Sequence, residues 1–368
     1  MEIICNQTQL IGALNVALKA VSAKTSYPIL ECLLLETEDN TVRITANDND
    51  FCIETVIPAV INKVGRIAIN ARMFADLIRK LPPNDVVITT DDTFGVSIIC
   101  GKAQFALRGL SGEEFPKPLP YDNTNPIVIS QFTLKELVRQ TIFAISTNES
   151  SRVMTGEYFE IDGNRLRVTA LDGFRVSIRN VELRSNYEKH NVIVPGKVLN
   201  EIGKILSGEM DEDVRICFDD RNIIFEFDDT IVHSRLIDGK YFVIDSMINT
   251  ECETSVKINR RELIDSVDRA SLFVKETEKK PVVVEIFENY ITVSINTQAG
   301  SMYDEIMAER DGNDMRIGFT PKFLLDILRV VDDDVVTLYL HNAKTPCFIR
   351  ANDDSYIYML LPVNIGSH

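Results

Sequence analysis

RIAINARMFADLIRKL, from Arg66 to Leu81, returns as NVIVPGKVLNEIGKIL from Asn191 to Leu206 and again as RIGFTPKFLLDILRVV from Arg316 to Val331. The starts are evenly spaced, since 191 − 66 and 316 − 191 are both 125. Self-similarity at a fixed interval marks a repeated structural unit. Each copy reads as a short apolar strand, a polar or proline break, and then a helix. The helix reading rests on apolar residues three and four apart, which share one helical face. They are Met73, Phe74, Leu77, Ile78 and Leu81 in the first copy and Val198, Leu199, Ile202, Ile205 and Leu206 in the second. In the third they are Phe323, Leu324, Ile327, Leu328 and Val331.

Working outward, a second helical pattern precedes each copy: TQLIGALNVALKAV, QFTLKELVRQTIFA and NRRELIDSVDRAS. Between the two helices of each copy lie strand-like runs, PILECLLLET with VRITAND, GEYFEID with RLRVTALDGFRVSIRNVEL, and PVVVEIF with ITVSIN. VVITT, VRICF and VVTLYL follow the second helices. A chain of 368 residues is more than one compact domain normally holds. The pattern therefore predicts three tandem α+β domains, at 1–124, 125–252 and 253–368, with polar joints at YDNTNP and MINTECET.

The opening MEIICNQTQL has no basic leader, and no window reaches the roughly 18 uninterrupted apolar residues of a membrane helix. A cytoplasmic chain with no membrane partner is expected. Seven cysteines, an odd number with no CxxC pair, read as small core residues in a reducing compartment. Four histidines stand in no metal-ligand or catalytic spacing, and GxGxxG, GxxxxGK[ST] and GxSxG are absent. No catalytic residue, metal or cofactor is expected. The enzyme-class rival is a carboxylate-dependent hydrolase, but Asp91-Asp92, Asp219-Asp220 and Asp332-Asp333-Asp334 lie at expected turns that suit solvent.

Net charge is −16, which by itself argues against a polyanionic partner. Its distribution argues the reverse. The six helical segments (8–21, 71–81, 131–144, 196–206, 259–271, 320–331) hold 13 Lys+Arg and 7 Asp+Glu, a net of +6, so the rest carries −22. Basic helices on a chain with acidic sheets and loops suit holding a polyanion on one face and repelling it elsewhere. Ordinary solvated helix faces account for the same count, because Lys and Arg are good helix formers. Domains that present helices on one side and sheet on the other can also join edge to edge and head to tail into a closed ring. A repeat-built binding scaffold that encloses nothing is the third reading.

The triplicated organisation, SYPIL at Ser26–Leu30, TALDGFRVS at Thr169–Ser177, IVPGKVL from Ile193, SRLIDGKYF at Ser234–Phe242 and YMLLPVNI at Tyr358–Ile365 together resemble the bacterial β sliding clamp family along essentially the whole chain. The resemblance implies a head-to-tail homodimeric ring, sheets outside and two helices per domain inside, around duplex DNA. Replicative DNA polymerase and clamp-loader subunits would bind through short linear motifs. Phosphate contacts carry no sequence information, so such a ring can slide, and topology supplies its persistence. By registration, Lys24, Arg72 and Lys197 match DNA-facing positions, and Arg79, Lys135, Arg139, Lys204 and Lys322 join them as helix cations.

The second surface implied is an apolar peptide-binding cleft. Its matching positions are Met154, Leu171, Gly173, Phe174, Arg175, Val176, Phe242, Met247, Pro346, Met359, Leu361, Pro362 and Val363. Two local readings stand beside it. SYIYMLLPV is apolar on both alternating faces, one for a core and one in need of a cover. Asp172-Gly173 between two alternating runs is a hairpin signal. Leu171, Phe242 and Asn364 stand where the family commonly has a hydroxyl residue, a proline and a basic residue, and Gly366-Ser367-His368 lies beyond the usual end. For the contact between copies the resemblance points to an edge strand around Phe105 meeting Leu272 and Phe273, for which core packing is the competing reading.

Overall fold

The structure, a computed structural model, describes residues 1–22, 25–118, 120–248, 251–274 and 280–365. The chain forms two compact units, Met1–Lys135 with Asn200–Leu236, and Glu136–Leu199 with Ile237–His368.

The six expected helices form at α1 (Gln7–Ala17), α2 (Ala71–Arg79), α3 (Gln131–Thr141), α4 (Gly196–Ile205), α6 (Arg260–Ser271) and α7 (Pro321–Val330), with a short α5 (Asp245–Ile248) besides. Short polar residues start them. The Asn6 side chain accepts from the Thr8 and Gln9 amides, Asn70 from Met73 and Asn259 from Glu262, while Pro321 opens α7, where a missing N–H costs nothing. The apolar stripes are buried as their spacing requires: Phe74 and Ile78 in α2, Leu199 and Ile202 in α4, Leu324 and Leu328 in α7. Phe74 has no exposed surface, so Phe74→Ala removes about 3–5 kcal/mol of packing.

In the first unit, a five-stranded antiparallel sheet ends at Ala103–Arg108, and a nine-stranded one runs from Leu110–Ser111 to Ile127–Ser130. Within the larger sheet, strand Phe51–Pro58 pairs with Thr230–Arg235, from Phe51↔Ser234 to Thr55↔Thr230. Strands from two sequence repeats thus share one sheet. The second unit holds a ten-stranded sheet from Gly156–Leu171 to Met315–Phe319, in which Arg175–Pro195 pairs with Tyr356–Leu360, from Arg175↔Leu360 to Arg179↔Tyr356.

Two local expectations change. GEYFEID and RLRVTAL are one strand, Gly156–Leu171, whose register shifts on either side of Gly163; glycine takes φ +60° there, so the bulge kinks the strand without ending it. PILE opens PILECLLLET as a 3₁₀ turn, Pro28–Glu31, and the strand begins at Cys32, because proline fixes φ and brings no ladder donor. Six cysteines are buried and Cys252 is half-buried. Burial pushes the Cys32 thiol up to about 11 and the Cys5 thiol up to about 12, so these two stay protonated as inert core residues. Among the described residues no helix is long and apolar enough to cross a membrane.

Candidate functional site

The strand Tyr356–Leu360 has two apolar faces that go to different places. Tyr358 and Leu360 enter the core built on α6 and α7. Met359 enters a second cluster with Leu171, Val176, Ile178, Ile193 and Phe348, onto which Ile357, Leu361 and Met154 pack. The cover for that second face comes from residues 237–248, through Ile237, Tyr241, Ile244 and Ile248. Consequently Met359, Leu171 and Val176 are buried under the chain's own segment. The large apolar side chains of the set that stand exposed are Phe174, Phe242 and Met247, at 57%, 50% and 43%, while Met154, Leu361, Pro362 and Val363 are half-buried.

Each wall residue has a local reason for its position. The Asp172 carboxylate accepts from the Phe174 and Arg175 amides at 2.9 and 3.1 Å, and Gly173 takes φ +88°, so the hairpin turns sharply and leaves Phe174 at its tip. The Phe174 ring stacks on Phe323 of α7 at 5.9 Å, and its carbonyl accepts from the Leu361 amide at 2.9 Å. Beyond Leu361 and Pro362, the Val363 amide donates to Gly318 at 2.8 Å, which ties the closing segment to the strand before α7. Phe242 meets the buried Tyr241 edge to face, and Met247 stands on α5 beside Ile248. Pro346 is half-buried, two residues before Phe348.

Arg175 is the exception. Strand alternation turns its side chain away from Val176 and toward α7. There its guanidinium donates to Asp172 at 3.0 Å, Asp326 at 2.6 Å and the Phe143 carbonyl at 2.5 Å, between the rings of Phe143 and Phe323. Phe323, which sequence reasoning counted only as a core residue of its helix, is thus part of the cleft wall. Its signal in sequence is the same helical spacing that serves the core, so nothing there separates the two roles.

The cations divide into two kinds. Arg72, Lys197 and Lys322 are each the second residue of their helix, are exposed, and recur at intervals of 125. A positive charge in a helix's first turn opposes the helix dipole, at about 0.3–1 kcal/mol each. Lys204 and Arg79 are exposed as well, and pair with Glu201 at 2.7 Å and Asp76 at 3.1 Å. Lys135 and Arg139 are half-buried and engaged within the fold. Lys135 donates to the Leu206 carbonyl, just past the end of α4, at 2.9 Å, and Arg139 binds Glu136 and Asp332. Lys24 lies outside the described residues.

Of the residues expected between copies, Phe105 is 39% exposed on the edge strand Ala103–Arg108, and Leu272 is 82% exposed just past α6. Phe273 is half-buried against the α6–α7 core. Among the described residues no three His, Cys, Asp or Glu side chains gather as metal ligands.

Comparison with known proteins places this architecture. Models of the DNA polymerase III beta subunit match in order along the chain: the N-terminal domain at residues 1–120, the central domain at 128–242 and the C-terminal domain at 245–364. The Beta sliding clamp of Bacillus subtilis (strain 168) is 32% identical over 376 residues, covering 99% of each chain. A solved structure from Eubacterium rectale ATCC 33656 is 46% identical with a TM-score of 0.97 and covers 100% of both chains. The DnaN sliding clamp of Bartonella birtlesii bound to griselimycin is 29% identical with a TM-score of 0.93, covering 99% of this chain and 100% of that one. Three domain models matched in sequence order, and a relative matched end to end, leave one assignment: the chain belongs to the DNA polymerase III beta subunit family, the beta sliding clamps.

Proposed function

We propose that two copies of this chain, each of three domains at 1–124, 125–252 and 253–368, close head to tail into a ring that encircles duplex DNA. The ring has no catalytic activity of its own and works in the cytoplasm. It tethers the replicative polymerase and clamp-loader subunits, whose short linear motifs enter the cleft edged by Phe174, Phe242 and Met247.

One observation carries the closure. The seams at Phe51–Thr55 and Arg175–Arg179 are ladders of the same length and register, at positions 124 residues apart, each starting where a hairpin loop ends. In the third repeat the matching strand residues are Gly300–Asp304, because Asn296↔Ser301 repeats Leu171↔Val176 after 125 residues. Residues 300–307 pair with Tyr290–Thr297 on one side only among the described residues, and Ala103–Arg108 is likewise an edge. Hairpin register makes Ala103–Arg108 the counterpart of Thr230–Arg235. The same ladder between two copies therefore sets Gly300 against Leu107, Met302 against Phe105, and Asp304 against Ala103. Val232 and Tyr358, the counterparts of Phe105 in the internal seams, are buried, so the exposed Phe105 ring has a partner waiting on another copy. Two unpaired edges of matching register are also the hazard such closure removes.

Arg72, Lys197 and Lys322 supply charge to phosphates without reading bases. Loading the chain onto nicked circular and linear duplex tests the reading. Retention on the circle with loss from the linear form is the expected result. Equal retention on both, or a monomer in sedimentation at micromolar concentration, refutes it.

A further inference from the structure

The hairpin loop that carries Phe174 is tied to α7 by the stacking of Phe174 on Phe323 and by the ion pairs of Arg175. Arg175 lies at the loop's foot, 7% exposed at its side chain, and donates on one side to Asp172 of its own loop and on the other to Asp326 of α7. Asp326 lies one helical turn beyond Phe323, the ring on which Phe174 stacks. Asp326 reaches the loop through Arg175. Its carboxylate fixes where the guanidinium sits, the guanidinium fixes the loop, and the loop fixes how far Phe174 stands from Leu361, whose amide it already anchors. A planar guanidinium gripped from two sides, with aromatic rings at 4.4 and 5.2 Å, has little freedom to relax.

We propose that Asp326 is a positioning residue for the peptide-binding cleft, acting through Arg175 to hold Phe174 at the width at which an apolar ligand side chain is gripped between Phe174 and the Leu361–Val363 segment. This rests on the cleft reading above and adds to it a residue one turn along the helix that carries Phe323. Loss of Asp326 leaves the apolar surface in place but lets its wall drift.

The test uses the full chain and griselimycin as the probe, with dissociation constants measured by calorimetry well below the melting temperature of each variant. Asp326→Asn is expected to weaken binding by about tenfold, a size reached by neighbouring residues of one network. Asp326→Glu restores the carboxylate and should recover most of that loss. In a Phe174→Ala background, Asp326→Asn should add almost nothing, because the wall it positions is gone. Arg175→Lys keeps the charge but loses the two-sided fork, and should weaken binding as Asp326→Asn does, which serves where that variant fails to fold. Unchanged binding in Asp326→Asn or Arg175→Lys, or a loss that persists fully in the Phe174→Ala background, overturns the positioning role while leaving the cleft intact. A wild-type chain that does not bind griselimycin overturns the cleft reading and this role together.

Discussion

Thr55 and Thr230 face each other across the seam between strands Phe51–Pro58 and Thr230–Arg235, with their buried hydroxyls 3.1 Å apart. Each hydroxyl's partner belongs to another sequence repeat, so the pair exists only because the two repeats share a sheet.

Removing one hydroxyl strands the other away from water. Thr230→Val is expected to cost about 1–3 kcal/mol in urea unfolding, whereas Thr55→Val combined with Thr230→Val should return close to the parent. A double variant as unstable as the single one shows that the seam does not depend on this bond.

Glu157 is completely buried, and accepts a hydrogen bond from the Thr141 hydroxyl at 2.9 Å. Burial pushes its carboxyl up to about 8, outweighing the hydroxyl's opposite pull. Between its ordinary value of 4.5 and about 8, the native chain keeps a proton that the unfolded chain has lost. Stability therefore falls as pH rises through that window and levels off above it. Glu157→Gln lacks the titration, so its stability relative to the parent should rise with pH, by up to about 5 kcal/mol. Unfolding free energies of the two chains at intervals across the window check this, and a difference that stays constant with pH contradicts it.

The matched edges make a prediction for assembly. Phe105→Arg puts a charge where the internal seams bury Val232 and Tyr358, and Met302→Arg puts one on the residue that the same register sets against it, so each should yield monomers with an unchanged circular dichroism spectrum. Sedimentation velocity reads the outcome directly, and dimers that persist in both variants rule out this edge.

Replacing Arg72, Lys197 and Lys322 together by alanine should shorten retention on a closed circular duplex. The salt dependence should flatten too, by about 0.9 in the log–log slope for each phosphate that is no longer neutralised. Removing Arg72 and Lys322 should not lower folding stability, since each charge opposes its helix dipole. The half-buried Arg139 should behave in the opposite way, costing stability through its broken bonds to Glu136 and Asp332. Unchanged retention in the triple variant sinks the DNA-facing assignment.

The sequence by itself determined the elements and their order. Helix positions followed from apolar spacing in LLDIL and LNEIGKIL and from Asn and Pro at their starts, and the even spacing of three copies followed from the residues alone. These are local properties, because periodicity and capping act within a few residues of chain. The tertiary structure decided what each surface residue does, since that depends on segments remote in sequence. It brought Arg175 to Asp326, 151 residues on, covered Met359 with residues 237–248, and engaged Lys135 and Arg139 inside the fold while Arg72 and Lys322 stayed exposed. It also set one register at both seams, which no window of sequence contains, because a ladder is a relation between two strands and belongs to neither.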